Sequence, residues 1–165
     1  MRIALALEYD GGSFHGWQSQ ADGRGVQDAL ERALGEIAGT PVRAVAAGRT
    51  DAGVHATVQI AHFDTDASRP DSAWLRGVNT LLPASIAVRW ALPVDAEFHA
   101  RFVATGRHYT YLLLARPVRP ALLAGKVGWY HRPLTIEAMH AAAEALLGEH
   151  DSPRFAPRSA RRSRR

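Results

Sequence analysis

From Ala47 to Ala56 the chain reads Ala-Gly-Arg-Thr-Asp-Ala-Gly-Val-His-Ala, which gathers an arginine, a threonine, an aspartate and a histidine around two glycines. Asp51 has the widest chemical range of these. A carboxylate serves as nucleophile or as general base without help from a cofactor. Arg49, two residues earlier, is placed to keep it ionised or to clamp an anion such as phosphate. The competing reading is a plain turn over Thr50-Asp51-Ala52-Gly53, since Asp and Gly favour turns by side-chain-to-backbone bonding and by tolerance of positive φ. Spacing alone leaves both readings open.

The elements around this stretch decide how it is held. Apolar runs over Val42 to Ala47 and His55 to Phe63 predict strands, so Asp51 falls on a loop at a strand end, where a rigid scaffold usually carries its site. Arg2 to Asp10 alternates with Ile3, Leu5, Leu7 and Tyr9 on one face, the pattern of a half-buried strand. It runs into a glycine-rich loop, Asp10 to Gln18, that carries His15, Trp17 and Gln18; without a phosphate-loop lysine this is weak evidence for a nucleotide site. Val26, Leu30, Leu34 and Ile37 recur at the helical period, and Gly39 and Pro41 stop that helix. A second helix is predicted over Asp71 to Leu82, with Trp74, Leu75, Val78, Leu81 and Leu82 as its apolar stripe. Ile86, Val88, Trp90, Leu92 and Val94 alternate as a strand.

The resulting order, β-α-β-β-α-β, predicts an α+β, ferredoxin-like domain: an antiparallel sheet with helices on one face and the other face left for a partner. Phe98 to Phe102 reads as a connector. An extra strand over Arg107 to Leu114 would turn Tyr109, Tyr111 and Leu113 one way, either to stack on bases or to pack across strands. A further helix over Thr135 to Leu147 would bury Ile136, Met139, Ala143 and Leu146. Residues 1–150 are thus expected to form the folded domain. Residues 151–165, rich in Arg, Ser and Pro, are expected to be a disordered basic tail.

Composition narrows the function classes. At 165 residues, with 47% hydrophobic and 22% charged residues, the chain suits one globular domain. It has no cysteine, which removes disulfides, thiol nucleophiles and Cys-based zinc sites. His55 and His62 would face opposite sides of a strand, which argues against a shared metal. The N-terminus lacks the pattern of a signal peptide and no apolar run reaches bilayer length, so the expected location is the cytoplasm, with no membrane. The net charge is +4, but the last twelve residues hold six arginines and no acid, so residues 1–153 carry −2. Bulk charge therefore gives the folded part no nucleic-acid signature, and only local patches could. No strand carries the Lys/Arg-Gly-Phe-Gly-Phe run of an RNA-recognition motif.

Taken together, the motifs resemble the TruA family of tRNA pseudouridine synthases, whose catalytic aspartate lies in Gly-Arg-Thr-Asp-Ala-Gly-Val-His, matched here by Gly48 to His55. Further blocks match in the family's order: Tyr9-Asp10-Gly11-Gly12-Ser13-Phe14-His15-Gly16-Trp17-Gln18, Asn79-Thr80-Leu81-Leu82-Pro83, Phe98-His99-Ala100-Arg101-Phe102 and Arg107-His108-Tyr109-Thr110-Tyr111. The resemblance implies a cofactor-free isomerisation of uridine to pseudouridine in the anticodon stem-loop of tRNA, on a base flipped from its stack. It implies that Asp51 breaks the glycosidic bond, that Tyr109 stacks on the target uracil and assists proton removal, that Arg49 helps hold the flipped nucleotide, and that the protein is a homodimer. The match stops after Asp151, where the family continues into a Phe-Ser-Phe-Arg-like run and a second half. A truncated chain is therefore expected, with no position assignable to the basic partner of the aspartate or to the apolar residue under the uracil. The alternative function is a non-catalytic RNA-binding or assembly fragment.

Overall fold

The computed structural model describes residues 1–149, in two compact units, Met1–Thr110 and a second that begins at Tyr111. The expected tail, 151–165, lies outside the described residues. The first unit contains β1 (Arg2–Tyr9), α1 (Val26–Ala38), β2 (Ala44–Ala46), β3 (Ala56–Asp64), a helix that opens as a π-turn over Ala73–Gly77 and continues as α2 (Val78–Leu81), and β4 (Ile86–Val94). The sheet order is β2-β3-β1-β4 and every neighbouring pair is antiparallel. This is the α+β arrangement that the periodicities predict.

The core follows from the alternation of β1. Ile3, Leu5 and Leu7 pair with Phe63, Ala61 and Gln59 on β3. They are buried in one cluster with Val26, Leu30 and Leu34 of α1 and with Trp74 and Val78 of the second helix. Each such side chain contributes about 1.5–3 kcal/mol by leaving water. Gly39 ends α1 in the left-handed conformation, at φ 76°, where its N–H donates to Gly35 O. Asn79 serves as a side-chain neighbour to β4: its amide donates to Val88 O and accepts from Val88 N–H, both at 2.8 Å.

The connector after β4 is fixed to the sheet face opposite the helices. Arg2 pairs with Asp64 at 2.8 Å and donates to the carbonyls of Ala96 and Phe98. His62 Nδ1 accepts from Ala100 N–H at 3.2 Å, and the His62 ring lies against Phe98 and His99.

Two sequence expectations need correction. Residues 107–112 form no strand; only Leu113–Ala115 (β5) does, in parallel pairing with Gly128–Tyr130 (β6). Alternation shows how a strand would be sided but supplies no partner; within 107–112 the one backbone bond to another segment that the structure gives among the described residues is Gly128 N–H to Leu112 O, at 2.8 Å, at the end next to β5. The last helix, α3 (Ile136–Glu144), is shorter than expected and its apolar stripe is not buried: Ile136, Met139 and Leu146 are exposed. Thr135 stands at its N-cap without a side-chain capping bond.

Burial, helped by the charges of Arg2 and His99, pushes the His62 imidazole below its ordinary value of 6.5. The fold therefore favours neutral His62. Its stabilisation is complete above about pH 6.5 and is lost as pH falls below that value, because the unfolded chain takes up the proton first. Protonation at Nδ1 would also cancel the bond from Ala100. Urea midpoints measured at about pH 8 and about pH 5.5 should thus differ. His62→Asn, whose side-chain oxygen accepts the same N–H and does not titrate, should reduce the difference.

Candidate active site

Asp51 sits on the β2–β3 connection, and a second loop, Asp10 to Gln18, is pressed against it backbone to backbone. Trp17 N–H donates to Thr50 O at 2.9 Å, and Gly53 N–H donates to Phe14 O at 3.3 Å. Val54 N–H closes a turn onto Asp51 O at 3.1 Å. Gly16, at φ 90°, makes this approach possible: a Cβ there would lie 2.6 Å from Thr50 O. A Cβ on Gly11 would collide with the Val54 carbonyl. His55 Nδ1 lies 2.9 Å from Asp10 Oδ1 and 3.2 Å from Gly11 N, so it can donate to the carboxylate or accept from the amide, but not both at once.

The far end of the Asp10–Gln18 loop is tied down by the first turns of α1. Asp28 accepts from Ser19 Oγ at 2.6 Å, from Gly25 N–H at 2.8 Å and from Gln20 N–H at 3.3 Å. Burial raises its pKa, but these donors outweigh burial and hold the carboxyl below its ordinary value. Gln27 accepts from Ser19 N–H and donates to Ala44 O at 3.2 Å, while Glu31 accepts from Ala44 N–H at 2.9 Å. Helix α1 thus bonds to both the loop and the edge strand β2.

Beside β2 lies a cleft of about 520 Å³ whose walls include Trp17, Ala46, Arg43, Arg49, Arg101, Arg107 and Tyr109. It brings together two of the three residues singled out in the sequence, Arg49 and Tyr109. Asp51 is exposed two positions beyond Arg49 and is not among the lining residues. Its carboxylate has no hydrogen-bond or ion-pair partner among the described residues. Tyr109 is 79% exposed. Arg107 donates to Ala47 O at 2.6 Å, next to Gly48.

Sequence reasoning passed over Arg43, Arg101 and Arg107 as a group. Arg101 and Arg107 stand inside two of the recognised blocks, but only the fold brings them to one cleft with Arg43. Among the described residues no group of three or more His, Asp or Glu side chains is placed to hold a metal ion. Among the same residues no helix is long and apolar enough to cross a membrane.

A family model described as tRNA pseudouridine synthase matches residues 5–103. The tRNA pseudouridine synthase A of Dechloromonas aromatica is 64% identical over 155 residues, which cover 94% of this chain and 59% of that protein. The proteins of the same name from Chromobacterium violaceum and Thiobacillus denitrificans are 63% and 59% identical, each over 94% of this chain and 60% of the relative. The chain belongs to the tRNA pseudouridine synthase family. It spans about three fifths of the length of these curated relatives.

Gly16 and Gly53 separate two effects, since both have positive φ but a Cβ on Gly53 meets nothing within 4 Å. Gly53→Ala should cost about 1–2 kcal/mol, the penalty of a left-handed residue that carries a side chain. Gly16→Ala should cost about 3 kcal/mol or more, because backbone strain is joined by a clash with Thr50 O. Urea denaturation of the two variants checks the order.

Proposed function

We propose that these residues form part of an enzyme that isomerises uridine to pseudouridine in the anticodon stem-loop of tRNA. The reading rests on one observation: an acid of unique sequence context, Asp51, stands on a rigidly zipped loop at the side of a cleft walled by four arginines and a tyrosine. A carboxylate supplies the chemistry, arginines bind phosphates, and an exposed tyrosine offers a ring for a flipped base.

In this reading the reaction breaks the N1–C1′ bond of uridine and forms a C5–C1′ bond. Asp51 opens the glycosidic bond, either by attack on C1′ or by removal of a sugar proton. The freed uracil turns, C5 bonds to the sugar, the C5 proton is released and N1 takes up a proton, so the atoms balance without a co-reactant. Tyr109 stacks on the uracil and assists the proton removal at C5, and Arg49 holds the displaced nucleotide. The protein acts as a homodimer in the cytoplasm, and no cofactor enters any step.

The exposure of Asp51 adds a condition. A flipped base needs a closed pocket to orient the reacting groups, and weak orientation costs several kcal/mol of barrier, on the order of a thousandfold in rate. Turnover should therefore need the further length that the relatives possess. A non-catalytic RNA-binding fragment is the second reading, and the open carboxylate is the observation that favours it for residues 1–165 alone.

Tritium release from C5-labelled stem-loop RNA tests these statements. Asp51→Asn, in an active full-length form, should lower turnover below a few per cent of wild type and leave RNA affinity within about threefold, since phosphate contacts supply most affinity. Arg43→Gln and Arg101→Gln should each reduce the slope of log affinity against log salt by about 0.7–0.9. Turnover by the Asn variant near that of wild type would remove Asp51 from the mechanism.

A further inference from the structure

Two buried polar side chains take no part in the chemistry above. Tyr9, at the end of β1, is 4% exposed and Gln59, on β3, is 8% exposed. Both belong to the helix-covered side of the sheet, where unbonded polar groups are costly. The Tyr9 hydroxyl shares a 2.9 Å hydrogen bond with Thr50 Oγ1. Gln59 Nε2 donates to Gly48 O at 2.8 Å. Burial pushes the Tyr9 phenol up, against bonds from Thr50 and Gln59, so it remains a neutral hydroxyl.

These bonds end on residues immediately before Asp51. Thr50 is held twice, by Tyr9 at its side chain and by Trp17 N–H at its carbonyl. The Asp51 carboxylate has no such support, so its location is set through its backbone. We propose that Tyr9 and Gln59 are positioning residues of the pseudouridine-forming site, a buried clamp that presets Asp51 by fixing Thr50 and Gly48. The proposal rests on the reading of Asp51 as the catalytic acid. Tyr9→Phe isolates the hydroxyl, because the ring keeps its packing beside Trp17, 6.0 Å away between centroids.

Amide hydrogen exchange in the 165-residue chain reads the clamp directly, through Trp17 N–H and Gly53 N–H, the two amides that join the loops. Tyr9→Phe and Thr50→Val should each speed exchange at both amides about tenfold, with Leu5 in the core of β1 unchanged. Thr50→Ser, which keeps the hydroxyl, should restore protection. In an active full-length form Tyr9→Phe should lower kcat about tenfold and leave KM for the stem-loop within about twofold.

Asp51→Asn is measured alongside to separate this proposal from the reading beneath it. Turnover by Asp51→Asn would refute the catalytic assignment, whatever the clamp does. With Asp51→Asn silent, wild-type exchange at Trp17 and Gly53 in Tyr9→Phe, or an unchanged kcat, would overturn the clamp alone. Equal acceleration at Leu5 would overturn it as well, since Tyr9 would then be an ordinary core residue.

Discussion

The site depends on two loops that touch through their backbones. Thr50 O lies where a side chain on Gly16 would have to go, and Trp17 and Gly53 supply hydrogen bonds that hold the contact. Such an approach requires that both loops leave the sheet at the same end. The antiparallel pairing of β1 with β3 provides this, because Tyr9, the last residue of β1, faces Ala56, the first of β3. A register change between Leu7 and Tyr9, where β3 contains one extra residue, brings these ends level. Bulges of this kind are common beside active sites because they re-aim the end of a strand.

Much of the fold was legible because burial imposes a period. Ile3, Leu5 and Leu7 alternate since one face of β1 meets α1, and Val26, Leu30 and Leu34 recur at the helical spacing for the reciprocal reason. Periodicity fails where it must also supply a partner. The alternation of Tyr109, Tyr111 and Leu113 suits a strand, but a strand exists only where its N–H and C=O groups are paired, and the ladder here runs from Leu113, with the Leu112 carbonyl bonded to Gly128 N–H just before it. The apolar stripe of α3 shows the same gap, since amphipathicity says which side should be covered and not what covers it.

The candidate site was legible in part for a different reason. Asp51 and Arg49 stand out because their stretch is dense in chemistry and bounded by glycines, a local property. The arginine cleft is a non-local property: Arg43 precedes β2, Arg49 follows it, and Arg101 and Arg107 come more than fifty residues later in the chain. A net charge of −2 over residues 1–153 conceals such a cluster completely. Tyr9 was hidden by its own pattern. It continues the Ile3, Leu5, Leu7 alternation, so its ring reads as core, and only the fold reveals that its hydroxyl bonds Thr50.

On the proposed function, the arrangement divides affinity from chemistry. Exposed guanidinium groups interact weakly one by one in water, about 1 kcal/mol for a pair at 4 Å, but several together release counterions from an RNA backbone and so bind it strongly. They need no fine placement, and Arg43, Arg49 and Arg101 are accordingly exposed. Bond cleavage does need placement, to a fraction of an ångström. Two buried polar side chains and one amide bond the stretch that leads into Asp51: Tyr9 and the Trp17 N–H on Thr50, and Gln59 on Gly48. The Asp51 carboxylate itself is exposed and has no partner among the described residues. On the proposed reading, a pocket that closes over this carboxylate removes its hydration, and binding of the RNA supplies the energy for that step. On that reading, a backbone fixed beneath an exposed carboxylate keeps the geometry ready while leaving the desolvation, and with it the reactivity, dependent on bound substrate.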